Sequence, residues 1–187
     1  MAVEKKSSRH SKITGDFAEA LVLYWLSRDG FECMRVDHTG IDLLARNRHT
    51  DELMGISVKS RSRYTGTEYG AVSIKSADLD KAAAACKTFA CSPYFAIVVD
   101  GGERLWLFLT SLEHMKQVVK LGVGKVHWGM TKDHIEHYLG ASAIKCVEFT
   151  AATRCWWANA EVKDSQGVSA IHASVSATTS RSPTASA

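Results

Sequence analysis

Apolar positions near the start of the chain recur at the spacing of a helix. They predict a helix over residues 15–28, with Thr14 as its N-cap and Gly30 just beyond its C-terminal end. The residues predicted to form its core face are Phe17, Leu21, Tyr24 and Trp25. Glu19 is expected to project near one edge of this apolar stripe.

The period then changes from that of a helix to that of strands. Residues 31–36, 41–45 and 53–59 predict three strands, with a turn over 37–40 and a polar hairpin connection over 46–52. Residues 60–70 lack a clear period and predict a mobile loop beside the end of the third strand.

The second half of the chain predicts further helices and strands. A helix is expected over 76–90, and two well-covered strands over 94–99 and 104–109, joined by the hairpin signal Asp100-Gly101-Gly102. Shorter elements are predicted as helices over 111–121 and 131–139 and as a last strand over 145–149. Gly122-x-Gly124 is interpreted as a turn, because the rest of a dinucleotide fingerprint is missing.

Length and composition indicate a single α/β domain. A chain of 187 residues, 45% of them hydrophobic, can bury one good core. The predicted organisation is a basic arm over residues 1–12, the α/β domain over 13–150, and a tail over 151–187 that is rich in Ser, Ala and Thr and disordered after about residue 162.

No apolar run is long enough to cross a bilayer, so no membrane association is expected. Five scattered cysteines favour reduced thiols and a cytoplasmic location.

Basic residues cluster at the N-terminus and after the third predicted strand. The net charge is only +3, but such clusters suit a phosphate backbone. Arg61, Arg63 and Lys75 are therefore candidate nucleic-acid contacts, and DNA is the expected partner. A basic arm is also often a solvated terminus, and charged residues can protect a sheet edge from pairing, so both of these roles stay open.

An acid on a helix, an acid on a strand and a lysine at the end of the next strand follow one another along the chain. Ser57 and Lys59 lie two residues apart and share one strand face, which Asp42 can meet across the hairpin. With Glu19 and the Val58 carbonyl, these residues offer oxygen ligands for Mg²⁺ or Mn²⁺. Phosphodiester hydrolysis needs a water of lowered pKa, neutralisation of negative charge and support for the leaving oxygen, and one or two such ions supply most of this.

Three segments carry these residues: Gly15-Asp16-Phe17-Ala18-Glu19, Val36-Asp37-His38-Thr39-Gly40-Ile41-Asp42-Leu43-Leu44-Ala45 and Ile56-Ser57-Val58-Lys59. Together they resemble the PD-(D/E)XK nuclease superfamily, with the nearest likeness to archaeal Holliday-junction resolvases. The resemblance implies a restriction-endonuclease-like mixed sheet flanked by helices, with an α-β-β-β-α-β core. It also implies a metal-dependent DNA endonuclease, acting on branched or structured DNA, with Asp42 as central ligand, Glu19 as accessory acid and Lys59 as catalytic lysine. Resolvase-like domains often act as dimers, which leaves a homodimer open.

One position departs from the family pattern. Ser57 stands where the family places Asp, Glu or sometimes Gln, and a neutral hydroxyl is a weak ligand for Mg²⁺. Either another acid, such as Glu19 or Glu68, compensates for it, or the domain is a catalytically weakened nuclease-like module that binds DNA without cutting it.

A protein-interaction domain without a nucleic-acid role is a third hypothesis. His134 and His137 have the spacing of a metal pair but are interpreted as exposed helix residues.

Overall fold

The computed structural model describes residues 6–64 and 66–151. The predicted tail lies outside these ranges except for Ala151, and so do the first five residues of the predicted basic arm. The helices are α1 (His10–Arg28), α2 (Ser76–Thr88), α3 (Leu112–Val118) and α4 (Lys132–Gly140). The strands are β1 (Phe31–His38), β2 (Ile41–Asn47), β3 (Leu53–Ser62), β4 (Val72–Lys75), β5 (Ser92–Asp100), β6 (Arg104–Ser111), β7 (Lys120–Gly122), β8 (Lys125–Trp128) and β9 (Ile144–Thr150).

Helix α1 begins earlier than the sequence predicted, at His10 instead of Gly15. Thr14, the predicted N-cap, lies inside the helix and donates its hydroxyl to the His10 carbonyl oxygen at 2.8 Å. Threonine makes this bond to the carbonyl four residues earlier when it stands within a helix. The end of the predicted basic arm is therefore helical.

The predicted core face of α1 is wrong for two of its four residues. Phe17 and Tyr24 are 46% and 55% exposed, whereas the helix buries Ala18, Val22 and Leu26. These three share one face because they are four residues apart. The helix packs against the sheet through this face, and the aromatic rings of Phe17 and Tyr24 lie off it.

A six-stranded sheet forms the centre of the fold, in the order β1-β2-β3-β5-β6-β9. Neighbouring strands are antiparallel except β3 and β5, which are parallel. A parallel pair needs a crossover, which here contains β4 and α2. The prediction of an α/β fold with a mixed sheet flanked by helices, in the order α-β-β-β-α-β, is confirmed.

The two faces of the sheet bury different helices. Ala96 and Val98 of β5 pack in the cluster that contains the buried face of α1. Phe95, Ile97 and Val99 alternate with them and pack in the cluster that contains α2. The parallel register pairs Ser57 with Phe95 and Lys59 with Ile97. Ser57 and Lys59 therefore lie on the face that α2 covers.

A second, three-stranded sheet of order β4-β8-β7 was not predicted. The helix predicted to run to residue 121 ends at Val118, and β7 follows it. All three residues of β7 are exposed, so its sequence carries no alternation of buried and exposed positions. Gly124, with φ +64°, lies in the turn between β7 and β8. None of the helices in the described part of the chain has the length and apolar character that a membrane crossing requires.

Candidate active site

Asp42 lies where β2 and β3 stop pairing. The last paired residues of the two strands are Leu43 and Ile56. One residue beyond Leu43, the Asp42 Oδ2 atom accepts the Val58 backbone N–H at 2.6 Å. The Val58 N–H therefore bonds to a side-chain carboxylate at a point where β2 no longer pairs with β3. This bond fixes the Asp42 carboxylate against the middle of β3.

A pocket of about 140 Å³ opens beside this carboxylate. Its lining includes Asp42, Ser57, Lys59 and Asp78. The structure therefore brings together three of the four residues predicted as catalytic, and Asp42 and Lys59 border the same space. Ser57 is 2% exposed and contributes a hydroxyl to the wall instead of a charge.

The turn between β1 and β2 sits directly on α2. Gly40 has φ +107°, and a Cβ atom at this position would lie 2.5 Å from the Lys81 carbonyl oxygen. Only glycine tolerates both the backbone conformation and the contact. This close approach places the start of β2, and with it Asp42, beside the first turns of α2.

Asp78 is the site residue that the sequence did not identify. Its Oδ2 atom lies 3.8 Å from the Lys59 Nζ atom, and the two side chains are 31% and 25% exposed. The sequence alone indicates only an acid that complements the dipole of α2, since Asp78 stands in the first turn of that helix. No local pattern reveals its place in the site, because Asp78 lies within the crossover that packs α2 beside β3.

Glu19 approaches the same region from α1. Burial raises the pKa of Glu19 above its ordinary value, and the negative charge of Asp42 raises it further. The positive charge of Arg35 acts in the opposite direction. Glu19 does not line the small pocket, so its link to Asp42 is electrostatic and not a shared cavity wall. A cation bound near Asp42 would counter the effect of the Asp42 charge on Glu19.

The donors at the site fit a hard divalent cation. The carboxylates of Asp42 and Asp78 and the Ser57 hydroxyl are all oxygen donors, which suit Mg²⁺ or Mn²⁺ better than zinc. Over residues 6–64 and 66–151, no three Asp, Glu, His or Cys side chains come close enough together to hold an ion by themselves. Val58 was predicted to offer its carbonyl as a ligand, and its N–H is the group that the structure brings to Asp42.

A larger groove of about 520 Å³ adjoins the pocket, and Lys59 lines both. The groove runs between the start of α1 and the end of β3, and its basic lining residues are Lys6, His10, Lys59 and Arg61. Arg61 donates to the carbonyl oxygens of Ser60 at 2.7 Å and Ser73 at 3.0 Å. This leaves a positively charged surface beside the acidic pocket.

Arg63 and Lys75, the other predicted nucleic-acid contacts, lie elsewhere. The Arg63 guanidinium donates to the Gly70 and Ala71 carbonyl oxygens, and burial, together with the charge of Arg61, lowers its pKa. Arg63 therefore ties the loop to the end of β3. Lys75 is exposed at the end of β4, opposite Lys125, and lines neither cavity.

Two further sets of candidate residues also lie apart from the pocket. Glu68, considered as a compensating acid, accepts the Gly66 N–H at 2.6 Å within the loop and lines neither cavity. His134 and His137 are exposed on α4, as predicted. The His134 Nδ1 atom lies 2.6 Å from the Thr131 hydroxyl, next to the start of that helix.

A comparison with solved structures found a similar structure. The structure is similar to that of Hjc, a Holliday junction resolvase from the archaeal hyperthermophile Archaeoglobus fulgidus. The TM-score is 0.49 and the sequence identity 15%, and the match covers 66% of this chain and 88% of Hjc. No protein-family model matches the chain, and no curated protein does.

Proposed function

We propose that this protein is a metal-dependent endonuclease that hydrolyses phosphodiester bonds in DNA. The observation that supports it best is the convergence of Asp42, Lys59 and Asp78 on one small pocket from two strands and a helix. Two carboxylates and an ammonium group at the mouth of a basic groove match the charges of a phosphodiester and a divalent cation.

Each side chain has a proposed role that follows from its charge and position. Asp42 and Asp78 would hold Mg²⁺ or Mn²⁺, and Glu19 would act as an accessory acid from α1. When bound, the ion lowers the pKa of water and neutralises negative charge on the phosphate. Lys59 places a positive charge beside the phosphate, where negative charge increases during the attack. The hydrogen bond from Val58 keeps Asp42 oriented toward the pocket.

The experiment that tests this function is incubation of the purified protein with labelled DNA. Linear duplex, single-stranded and branched substrates are compared in Mg²⁺, in Mn²⁺ and in EDTA. We expect cleavage in the presence of either ion and none in EDTA. Absence of cleavage on every substrate with both ions would count against an endonuclease.

A second candidate function is a DNA-binding module that no longer cuts. The observation in its favour is the buried hydroxyl of Ser57 in the position where a carboxylate would strengthen ion binding. It predicts DNA binding that weakens steeply with salt, without cleavage under any of the conditions above. Binding and cleavage measured on the same samples therefore separate the two candidates.

A further inference from the structure

The groove beside the pocket has a lining that suits a polyanion. It carries four basic side chains, and no acidic residue is among its described lining residues. The remaining wall is rich in hydroxyl groups from Ser7, Ser8, Ser11, Thr14, Ser60 and Ser62. Serine and threonine hydroxyls and basic side chains are the groups that contact phosphate and sugar in nucleic-acid complexes.

The groove encloses about 520 Å³, a volume in which a short stretch of a single strand fits. Because Lys59 lines both cavities, a strand held in the groove contacts a residue of the site proposed for hydrolysis.

An aromatic ring stands in the wall of the groove, presented to solvent. Tyr64 is 42% exposed, and the Lys6 ammonium lies 4.2 Å from its ring centroid. Lys6 is held in place by hydrogen bonds of 2.8 Å to the Ser62 hydroxyl and to the Arg63 carbonyl oxygen. The lysine thus covers one part of the ring, and the exposed part is available to stack on an unpaired base.

We infer that this groove binds a single DNA strand, with Tyr64 as a stacking platform. The substrate class is then DNA with an unpaired strand next to the scissile phosphate, such as a flap, a fork or an overhang. The inference rests on the proposed nuclease function and specifies its substrate. Basic side chains and hydroxyls hold the backbone of the strand, and Lys59 is the residue that the groove shares with the pocket.

The test is fluorescence anisotropy with labelled oligothymidine, a labelled DNA duplex and labelled oligouridine of the same length, in EDTA to prevent cleavage. Tyr64→Ala is expected to weaken oligothymidine binding about tenfold, the size of one lost stacking contact. Tyr64→Phe keeps the ring and is expected to bind like the wild type. Tyr69→Ala is the matched control, since Tyr69 is 44% exposed in the same connection but does not line the groove.

The outcomes distinguish this inference from the proposed function. Equal losses for Tyr64→Ala and Tyr69→Ala, or a duplex bound as tightly as oligothymidine, would overturn the strand groove. Tighter binding of oligouridine would overturn its assignment to DNA. Because binding is measured without divalent ions, Tyr64-dependent strand binding supports the groove even if no substrate is ever cut, an outcome that counts only against the nuclease.

Discussion

The Asp42 carboxylate accepts the Val58 backbone N–H at 2.6 Å, at the point where β2 and β3 separate. This bond connects the fold to the candidate chemistry, because it holds an acid beside Val58, the residue before Lys59 on β3. Two residues far apart along the chain thereby face one pocket. The proposed function depends on this arrangement, and the following variants test its parts.

Asp78→Asn is expected to weaken the binding of Mn²⁺. The carboxylate borders the pocket and lies 3.8 Å from Lys59, so the substitution removes one of two negative charges that can face the ion. We expect the dissociation constant measured by calorimetry to rise by roughly 10-fold to 100-fold. Asp80→Asn is the control, since Asp80 is exposed on the same helix and outside the pocket. Equal affinities for both variants would remove Asp78 from the site.

Ser57→Glu is expected to strengthen the binding of the ion. Ser57 lines the pocket, so a longer side chain there can reach the space between Asp42 and Asp78. An added carboxylate raises the charge of the donor set, and we expect an affinity for Mg²⁺ or Mn²⁺ about tenfold higher. Circular dichroism checks that the variant is folded. A folded Ser57→Glu protein with unchanged affinity would show that this position does not face the ion.

Gly55→Ala is expected to destabilise the contact between β3 and α2. A Cβ atom at this position would lie 2.5 Å from the Cys86 Sγ atom and 2.8 Å from the Cys91 Sγ atom. We expect a loss of about 1–3 kcal/mol in the free energy of unfolding, measured with urea.

Gly15→Ala provides the opposite control for this stability measurement. Apart from its chain neighbours and the backbone of its own helix, nothing lies within 4 Å of a Cβ at Gly15, which is inside α1. We expect a gain of about 0.5–1 kcal/mol there, because alanine has less backbone entropy to lose in a helix. A Gly55→Ala protein as stable as the wild type would contradict the packing described for β3.

The order of the main elements could be predicted from the sequence because their apolar positions are periodic. The same reasoning placed Ser57 and Lys59 on one strand face, since residues two apart on a strand point the same way. The position of Asp78 could not be predicted, because it depends on how the crossover returns α2 to β3. The exposure of Phe17 and Tyr24 was also not predicted, because the helix packs through the face that contains Ala18.

The second sheet was missed for a different reason. Its strands β4, β7 and β8 have three or four residues each, and β7 is exposed throughout. Strands this short show too few alternations to be distinguished from loops. β4 pairs with β8, which is about 50 residues further along the chain, and a local sequence pattern cannot predict such a pairing.

The rate of DNA cleavage by Asp42→Asn and Lys59→Met tests the central claim most directly. Both side chains border the pocket, whereas Asp80 and Lys87 on α2 are exposed and outside it. On a substrate that the wild type cuts in Mg²⁺ or Mn²⁺, we predict that each pocket variant slows cleavage by about 100-fold or more. Asp80→Asn and Lys87→Met should cut at the wild-type rate. Wild-type cleavage by Asp42→Asn and Lys59→Met would contradict the proposed active site.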